Sequence, residues 1–583
     1  MHDFVSSSSN EVYKGNLDMT LDAFVERYHR HQTRNPNACV NLGVDRSLGS
    51  LPDPSLEARE DGLNAARKLL GEAESLLVES HDFDSRLDLE LASLGLRAQI
   101  HSDSYSFAGQ RRLEQTPTGA DDISDGIFML FINDPRPAPE RLADILSRIQ
   151  AVPEYLDALQ GRLDTPLERW RAMDLEKVKE VPGLFATVEG WSAEEGWESH
   201  TALKAARSEA EAAIARYVTF LEAAPTHNEL HLDEADAREI VALRGIEKSL
   251  EELHGIARDY LAENAAVLDE LRGRLAQKYG LTGNATVEEV EGALRKHFAP
   301  GPGDRNAPKI LARYQEERER VLEYIHEHRL FPVLEGQDMK ILQTPSFMTP
   351  SIPAGAMVSP APFRDGIRTS LIYLTLSDEL VAHFSELDVP GMMIHEGIPG
   401  HHLQLATASA HPSVIRRHVS AMDQAEGWTT MLEDYMLDIG YMGELTDEAR
   451  FIAKRDTNRI GARVAIDLFF MTGDRGYLNV GIDCDTGVDD PFVAAGRLLQ
   501  AVTGFASGRV EAELNWYSQE RGYPLSYLTG NRLVWELKRD VERAHEGTLS
   551  GLDLDRKFHE VYLHAGNMPV SFLRRVFAER GMI

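Results

Sequence analysis

The sequence predicts a mostly α-helical protein with one small antiparallel sheet. Apolar residues recur at three- and four-residue steps over most of the chain, which is the period of an amphipathic helix. One interval, 331–376, replaces that period with many prolines and β-forming residues. No internal repeat of fixed length is evident.

The elements follow in order. The segment 51–77 passes from a proline-marked start, LPDPSLEARE, into LNAARKLLGEAESLL, with helical apolar steps. Similar patterns cover 85–102, 139–162, 191–221 and 235–279. Within the last, KSLEELHGIARDYLAENAAVLDELRGRLAQKYG reads as one long amphipathic helix, or a helix pair, ending at Gly280. Its heptads are not sustained, which argues against a coiled coil. Pro and Gly make 297–308 a loop, and a further helix covers 310–328. The interval 331–376 reads as the antiparallel sheet, with 368–376 (RTSLIYLTL) as its clearest strand. Helices resume near Ser377 and run to the end. The expected organisation is a helical half, 1–330, interwoven with a half, 331–583, that carries the sheet and the chemistry.

Composition narrows the function classes. There are 61 Lys and Arg against 94 Asp and Glu, a net charge of -33. Phosphate contacts need concentrated basic residues, so neither nucleic acid nor a membrane is expected as a partner. Two cysteines, Cys39 and Cys484, make neither a disulfide framework nor a Cys-rich zinc site. They read as inert thiols in a reducing compartment. The N-terminal MHDFVSSSSNEVYKG has no basic n-region and no apolar h-region. No stretch approaches the roughly 20 apolar residues that span a bilayer. The expected location is cytoplasmic, with the oligomeric state open.

The run HEGIPGHH, from His395 to His402, concentrates the chemistry. It differs from the zinc-protease pattern H-E-x-x-H, because Pro399 stands at the second histidine position. An unbroken helix would make no metal site here. At about 100° per residue, His395 and His401 fall on nearly opposite faces. His395 and His402 share a face but lie roughly 10 Å apart along the axis. Two bonds near ~2.0–2.1 Å to one ion cannot span that gap. Pro399 removes a helical donor and Gly400 adds backbone freedom, so the helix is expected to break or bulge. Such a break returns one later histidine to the face of His395, with His401 the better candidate ligand. His402 reads as a hydrogen-bonding neighbour, and His411 and His418 as surface residues.

A catalytic zinc takes a third protein ligand and keeps one position open. The next helical acid after His401 is Glu426, with only Asp423 before it. Glu396 would stand beside the ion as a general base. Glu433, seven residues after Glu426, shares its helix face and would support a ligand or touch substrate.

HEGIPGHHLQ followed by EGW resembles the signature of the bacterial domain-of-unknown-function family 885, which is grouped with gluzincin-type zinc metallopeptidases. The similarity covers most of the chain. FVERYHRHQTRNPNACVNLGVDRSLGSLPD resembles the family's opening helix and Leu-Gly turn, and FHEVYLHAGNMPVSFLRRVF its closing pattern, with His559, Gly566 and Pro569. The site is also similar to that of the thimet oligopeptidase and angiotensin-converting enzyme superfamily, where a glycine precedes the second histidine ligand and a helical glutamate is the third. The resemblance implies a large multi-helix metallopeptidase-like fold whose small sheet borders a deep active-site cleft. It implies one Zn2+ held by His395, His401 and Glu426, with Glu396 as base.

Those peptidases stabilise the oxyanion with tyrosines from a late segment, here WYSQERGYPLSYLTGNR. Tyr527 and Gly530 match the family's Tyr and Gly, so Tyr527 is the expected donor and Tyr523 the weaker candidate. Arg521-Gly522-Tyr523-Pro524 replaces most of the usual Pro-Gly-Gln-Ala. In RVAIDLFFM, Asp467 matches, but Phe469 and Met471 stand where the family carries Gly and His. A substrate-binding histidine is therefore missing from that position. Gly355–Pro360 resembles a sheet edge that aligns extended peptides. Arg532 and Arg574 read equally as carboxylate binders and as surface ion pairs. The expected activity is zinc-dependent hydrolysis of short peptides. The alternatives are metal-dependent hydrolysis of a non-peptide amide or ester, and a catalytically silent helical binding protein.

Overall fold

The computed structural model describes residues 20–79, 82–345 and 355–583, and the leader reading at the N-terminus lies outside them. Helices dominate, and most begin where a side chain can satisfy the free N–H groups of the first turn. Thr20 accepts from Ala23 to start α1, Leu21–Gln32. Ser55 accepts from Ala58 to start α2, Leu56–Leu77. The predicted start at residue 51 moves inward, because Pro52 and Pro54 precede the cap. The next helices are α3, Phe83–Ser104, α4, Ala138–Arg162, and α5, His200–Ala223.

Two predicted helices are divided. Residues 191–221 fall on Val181–Glu194 and on α5, separated by a turn in which Gly196 has φ +60°. Residues 235–279 divide into α6, Glu234–Leu243, and α7, Leu250–Lys278. Gly245 makes that break, with φ +77° and a Cβ position that Pro569 fills. Ser249 and Glu252 then form a reciprocal capping pair at the start of α7. The helix Gly119–Ile132 was not expected from the sequence. Its GIFMLFI run is apolar on all sides, which hides helical periodicity.

After α8, Ala307–His328, comes the sheet: β1, Gln337–Gln343, β2, Gly355–Val358, and β3, Arg368–Leu374. The strand order is β1-β3-β2. The sheet is mixed, not antiparallel as expected. β2 runs antiparallel to the central β3, with Gly355 opposite Leu374. β1 runs parallel to it, with Gln337 opposite Arg368. Residues 344–367 separate β1 from β3, which is ample for the long crossover that parallel pairing requires.

The remaining helices include α9, Asp388–Glu396, α10, His401–Ser409, α11, Met422–Asp438, α12, Thr446–Thr472, α13, Ser507–Gln519, α14, Ser526–Ala544, and α15, Leu552–His564. Residues from both sides of position 330 share the cores. Phe24, Leu87 and Leu96 pack in one cluster with Ile394, Leu403, Trp428 and Phe558. Trp170, Leu253 and Leu261 pack in another with Phe469, Leu498 and Leu528. α12 is buried along most of its length, without a break over residues 460–471, where it runs through the middle of a large core.

Candidate metal centre

The break in HEGIPGHH fixes the site. α9 ends at Glu396, and Gly397 donates to the Met393 carbonyl (3.0 Å). The Ile398–Pro399 peptide is cis, and α10 begins at His401. Gly400 lies so close to the carbonyls of Ile394 and His395 that a Cβ has no room. The indole Nε1 of Trp428, on α11, donates to the Pro399 carbonyl (2.9 Å). The break thus turns α10 back against the end of α9, and the rings of His395 and His401 stand 4.9 Å apart and nearly perpendicular.

Glu426 enters from α11. Its Oε2 lies 3.5 Å from His395 Nε2 and 3.4 Å from His401 Nε2. Facing ligand atoms of the three residues all lie within 4.8 Å of one another. Bonds near ~2.0–2.1 Å at tetrahedral angles place ligand atoms about 3.3 Å apart, so the set fits a zinc-sized ion. The side chains are recessed, with 12%, 10% and 6% of their surface exposed for His395, His401 and Glu426. Glu426 Oε2 and His401 Nδ1 are buried with no hydrogen-bond partner among the described residues. An orphaned carboxylate oxygen between two imidazoles is costly unless a cation shares the space.

The electrostatics agree. Burial opposes a charge on His395, but the carboxylates of Glu426 and Glu433 against its two ring nitrogens outweigh it and raise its pKa to about 10. Burial likewise opposes ionisation of Glu426, yet His401 and His395 hold its carboxyl well below the usual carboxylate range. The pocket therefore stabilises positive charge at its centre. Glu433 accepts from His395 Nδ1 (2.7 Å), which leaves Nε2 free to face Glu426. Glu396 is half-buried beside His395, with no hydrogen bond or ion pair among the described residues.

The tyrosines enter on α14 and the turn before it. α11 and α14 cross with their backbones touching: a Cβ on Gly427 would lie 2.5 Å from the carbonyl carbon of Gly530. That approach sets Tyr523 against the site, and its hydroxyl donates to Glu426 Oε1 (3.3 Å). Tyr527 stacks on Tyr523 at 5.8 Å, so the weaker sequence candidate is the one touching the carboxylate. Burial and the nearby Glu426 charge push both phenols above their ordinary values, which keeps them as donors.

Sequence reasoning gave no role to the residues that hold this turn. Asp467 accepts from the N–H groups of Gly522 (3.0 Å) and Leu525 (3.1 Å). Arg463 lies 4.3 Å above the Tyr527 ring and pairs with Glu513 (2.9 Å). The matched Asp467 was the available signal for the first; nothing in the sequence pointed to Arg463.

Other candidates lie elsewhere. His402 faces the sheet, with Nδ1 against Ser370 (2.7 Å) and Nε2 against Gln337. Both ring nitrogens are engaged, and burial lowers its pKa to about 4. His418 is not a surface residue: its Nε2 meets His29 Nδ1 (2.9 Å), its ring packs on Phe363, and burial lowers its pKa to about 3. His411 is also half-buried, with Nδ1 accepting from Ser413 N–H (3.1 Å). Phe469 and Met471 are core residues. Arg532 pairs with Glu263 and Arg574 with Asp540. β2 is an outer strand of the sheet, and its Gly355 abuts Met392 of α9.

The model of a family described as bacterial protein of unknown function (DUF885) matches residues 36–577. No curated protein matches the chain. Two solved structures share the fold at a TM-score of 0.73. One is a candidate lipoprotein of unknown function from Shewanella oneidensis, 15% identical, covering 96% of this chain and 100% of its own. The other is a candidate lipoprotein from Colwellia psychrerythraea, 17% identical, covering 96% and 99%. A Pyrococcus furiosus carboxypeptidase aligns with a TM-score of 0.33 at 10% identity, covering 96% and 98%. The lipoprotein neighbours overturn the expectation of a cytoplasmic location. No helix among the described residues is long and apolar enough to cross a membrane.

Proposed function

The chain belongs to the bacterial DUF885 family, and we propose that it is a zinc-dependent hydrolase of short peptides. The observation that carries this reading is the convergence of His395 Nε2, His401 Nε2 and the otherwise unpartnered Glu426 Oε2 at 3.4–3.5 Å. These three residues would hold the ion. When bound, zinc supplies Lewis acidity toward a water and toward the carbonyl oxygen of the scissile bond.

The remaining work falls to the chain. Glu396, unpartnered beside His395, takes the proton of the attacking water and returns it to the leaving amine. Glu433 keeps the proton of His395 on Nδ1. Tyr523, with Tyr527 stacked behind it, would turn its single hydroxyl proton from Glu426 toward the oxygen that gains charge in the transition state. The outer edge of β2, which pairs with no further strand among the described residues, would align an extended backbone by main-chain hydrogen bonds, which suits peptides of varied sequence.

The test is Glu396→Gln, assayed on a panel of short peptides. We expect zinc content unchanged and turnover reduced by about 10²–10⁴-fold. Unreduced turnover would remove Glu396 from the mechanism. Inactivity of the wild type on every peptide, with activity on another amide, would overturn the peptidase assignment.

A further inference from the structure

The tyrosines beside the metal centre belong to a larger patch of rings. Trp516, near the end of α13, stands edge-on to Tyr523, with ring centroids 5.0 Å apart and planes at 86°. It stands edge-on to Tyr527 as well, at 6.2 Å and 90°. Tyr523 and Tyr527 stack on each other at 5.8 Å. The patch reaches the ligand set directly, because the Tyr523 hydroxyl lies 3.3 Å from Glu426 Oε1.

These rings differ from those that only fill the core. Tyr517, the next residue after Trp516, is fully buried, and its hydroxyl donates to Glu513 (2.5 Å). Trp516, Tyr523 and Tyr527 are half-buried and keep accessible surface. Burial nonetheless pushes the phenols of Tyr523 and Tyr527 above their ordinary value. Surface that is accessible yet poorly hydrated belongs to a recess, not to the outer face of the protein.

The rings are also held from behind. Trp516 and Tyr527 pack against the core that contains Leu498, Leu514 and Leu528. The guanidinium of Arg463, on α12, lies over both rings, 4.3 Å from the centre of Tyr527 and 5.0 Å from that of Trp516. Its charge is met by Glu513 (2.9 Å), and its Nε donates to the Tyr517 hydroxyl (2.9 Å). Arg463 therefore clamps the rings in place.

We propose that this patch is a subsite for an aromatic side chain of the substrate, flanking the scissile bond, with Trp516 as the residue that sets the preference. This rests on the peptide-hydrolase reading above. A substrate ring would extend the cluster in edge-to-face or offset-stacked geometry, which aromatic pairs prefer at centroid separations of roughly 4.5–7 Å. Rings already fixed by Arg463 and the core lose little freedom when a ligand arrives.

Three peptides that differ only in a central Phe, Leu or Ala between flanking alanines test this, with the cleaved bond read by mass spectrometry. The wild type should cleave beside Phe with kcat/KM about tenfold or more above the Ala peptide. It should exceed the Leu peptide by about threefold or more. Trp516→Ala should lower the Phe-to-Ala ratio by about threefold or more. A tryptophan with only a structural role would slow all three peptides alike and leave the ratio as it was. Trp516→Leu, which refills the space against the core, is the second variant, and circular dichroism checks the fold of both. Equal wild-type rates on Phe and Ala overturn the proposal, as does a Leu peptide cleaved as fast as Phe. So does an unchanged ratio in whichever variant folds. Cleavage of none of the three counts against the hydrolase reading instead, and binding then decides. Calorimetric titration should still show the Phe peptide bound more tightly than the Ala peptide, and equal binding or none overturns the subsite.

Discussion

His395 joins two levels of the site through one imidazole: Nε2 faces Glu426 and Nδ1 is held by Glu433. Glu433→Ala would free the ring to turn and lower its basicity. We expect zinc affinity to fall about 10–100-fold, read by chelator competition; unchanged affinity would make Glu433 a bystander. Tyr523→Phe keeps the ring stack and removes the hydroxyl. We expect kcat to fall about 10²-fold with KM little changed and zinc retained. Glu433 was legible in the sequence because a spacing of seven returns to one helix face. The order of Tyr523 and Tyr527 was not legible, because it depends on where the turn before α14 leaves the chain.

Close backbone contacts, rather than side-chain length, bring the elements together. Gly530 sits against the Asp423 carbonyl, and Gly427 against Gly530. Gly530→Ala forces α11 and α14 apart. We expect a loss of about 1–3 kcal/mol in denaturant unfolding and weaker zinc binding. An unchanged midpoint would show that the crossing has slack. The HEGIPGHH break was legible because proline and glycine act locally. The Trp428 clamp and the parallel pairing of β1 with β3 were not, because each joins segments far apart in sequence. The helix Gly119–Ile132 was hidden for the opposite reason: its GIFMLFI run lacks the polar face that marks a helix.

At the scale of the molecule, several histidines are held neutral by burial. The pKa of His559 falls from 6.5 to about 4, and those of His411 and His418 to about 4 and about 3. The unfolded chain takes up these protons first as pH drops, so the stability they support is complete above about 6.5 and is lost as pH falls toward 4. For the fully buried His559 alone this reaches about 3 kcal/mol. The buried carboxyls of Asp423 and Asp467, raised to about 7, act in the opposite sense over the same window. The test is therefore a difference: between pH 6.5 and 4 we expect the thermal midpoint of His559→Gln to lose less than that of the wild type, and parallel pH profiles for the two would contradict it. The dominance of helices was legible from periodicity. Which residues share a core across position 330 is set only when distant helices pack. The central claim is that His395, His401 and Glu426 share one ion. It is tested most directly by metal analysis of protein purified without chelator and then offered zinc. We predict one zinc per chain in the wild type and in His402→Ala, and loss of it in His401→Ala and Glu426→Ala. No zinc uptake by the wild type, or loss in His402→Ala with retention in His401→Ala, would contradict the account.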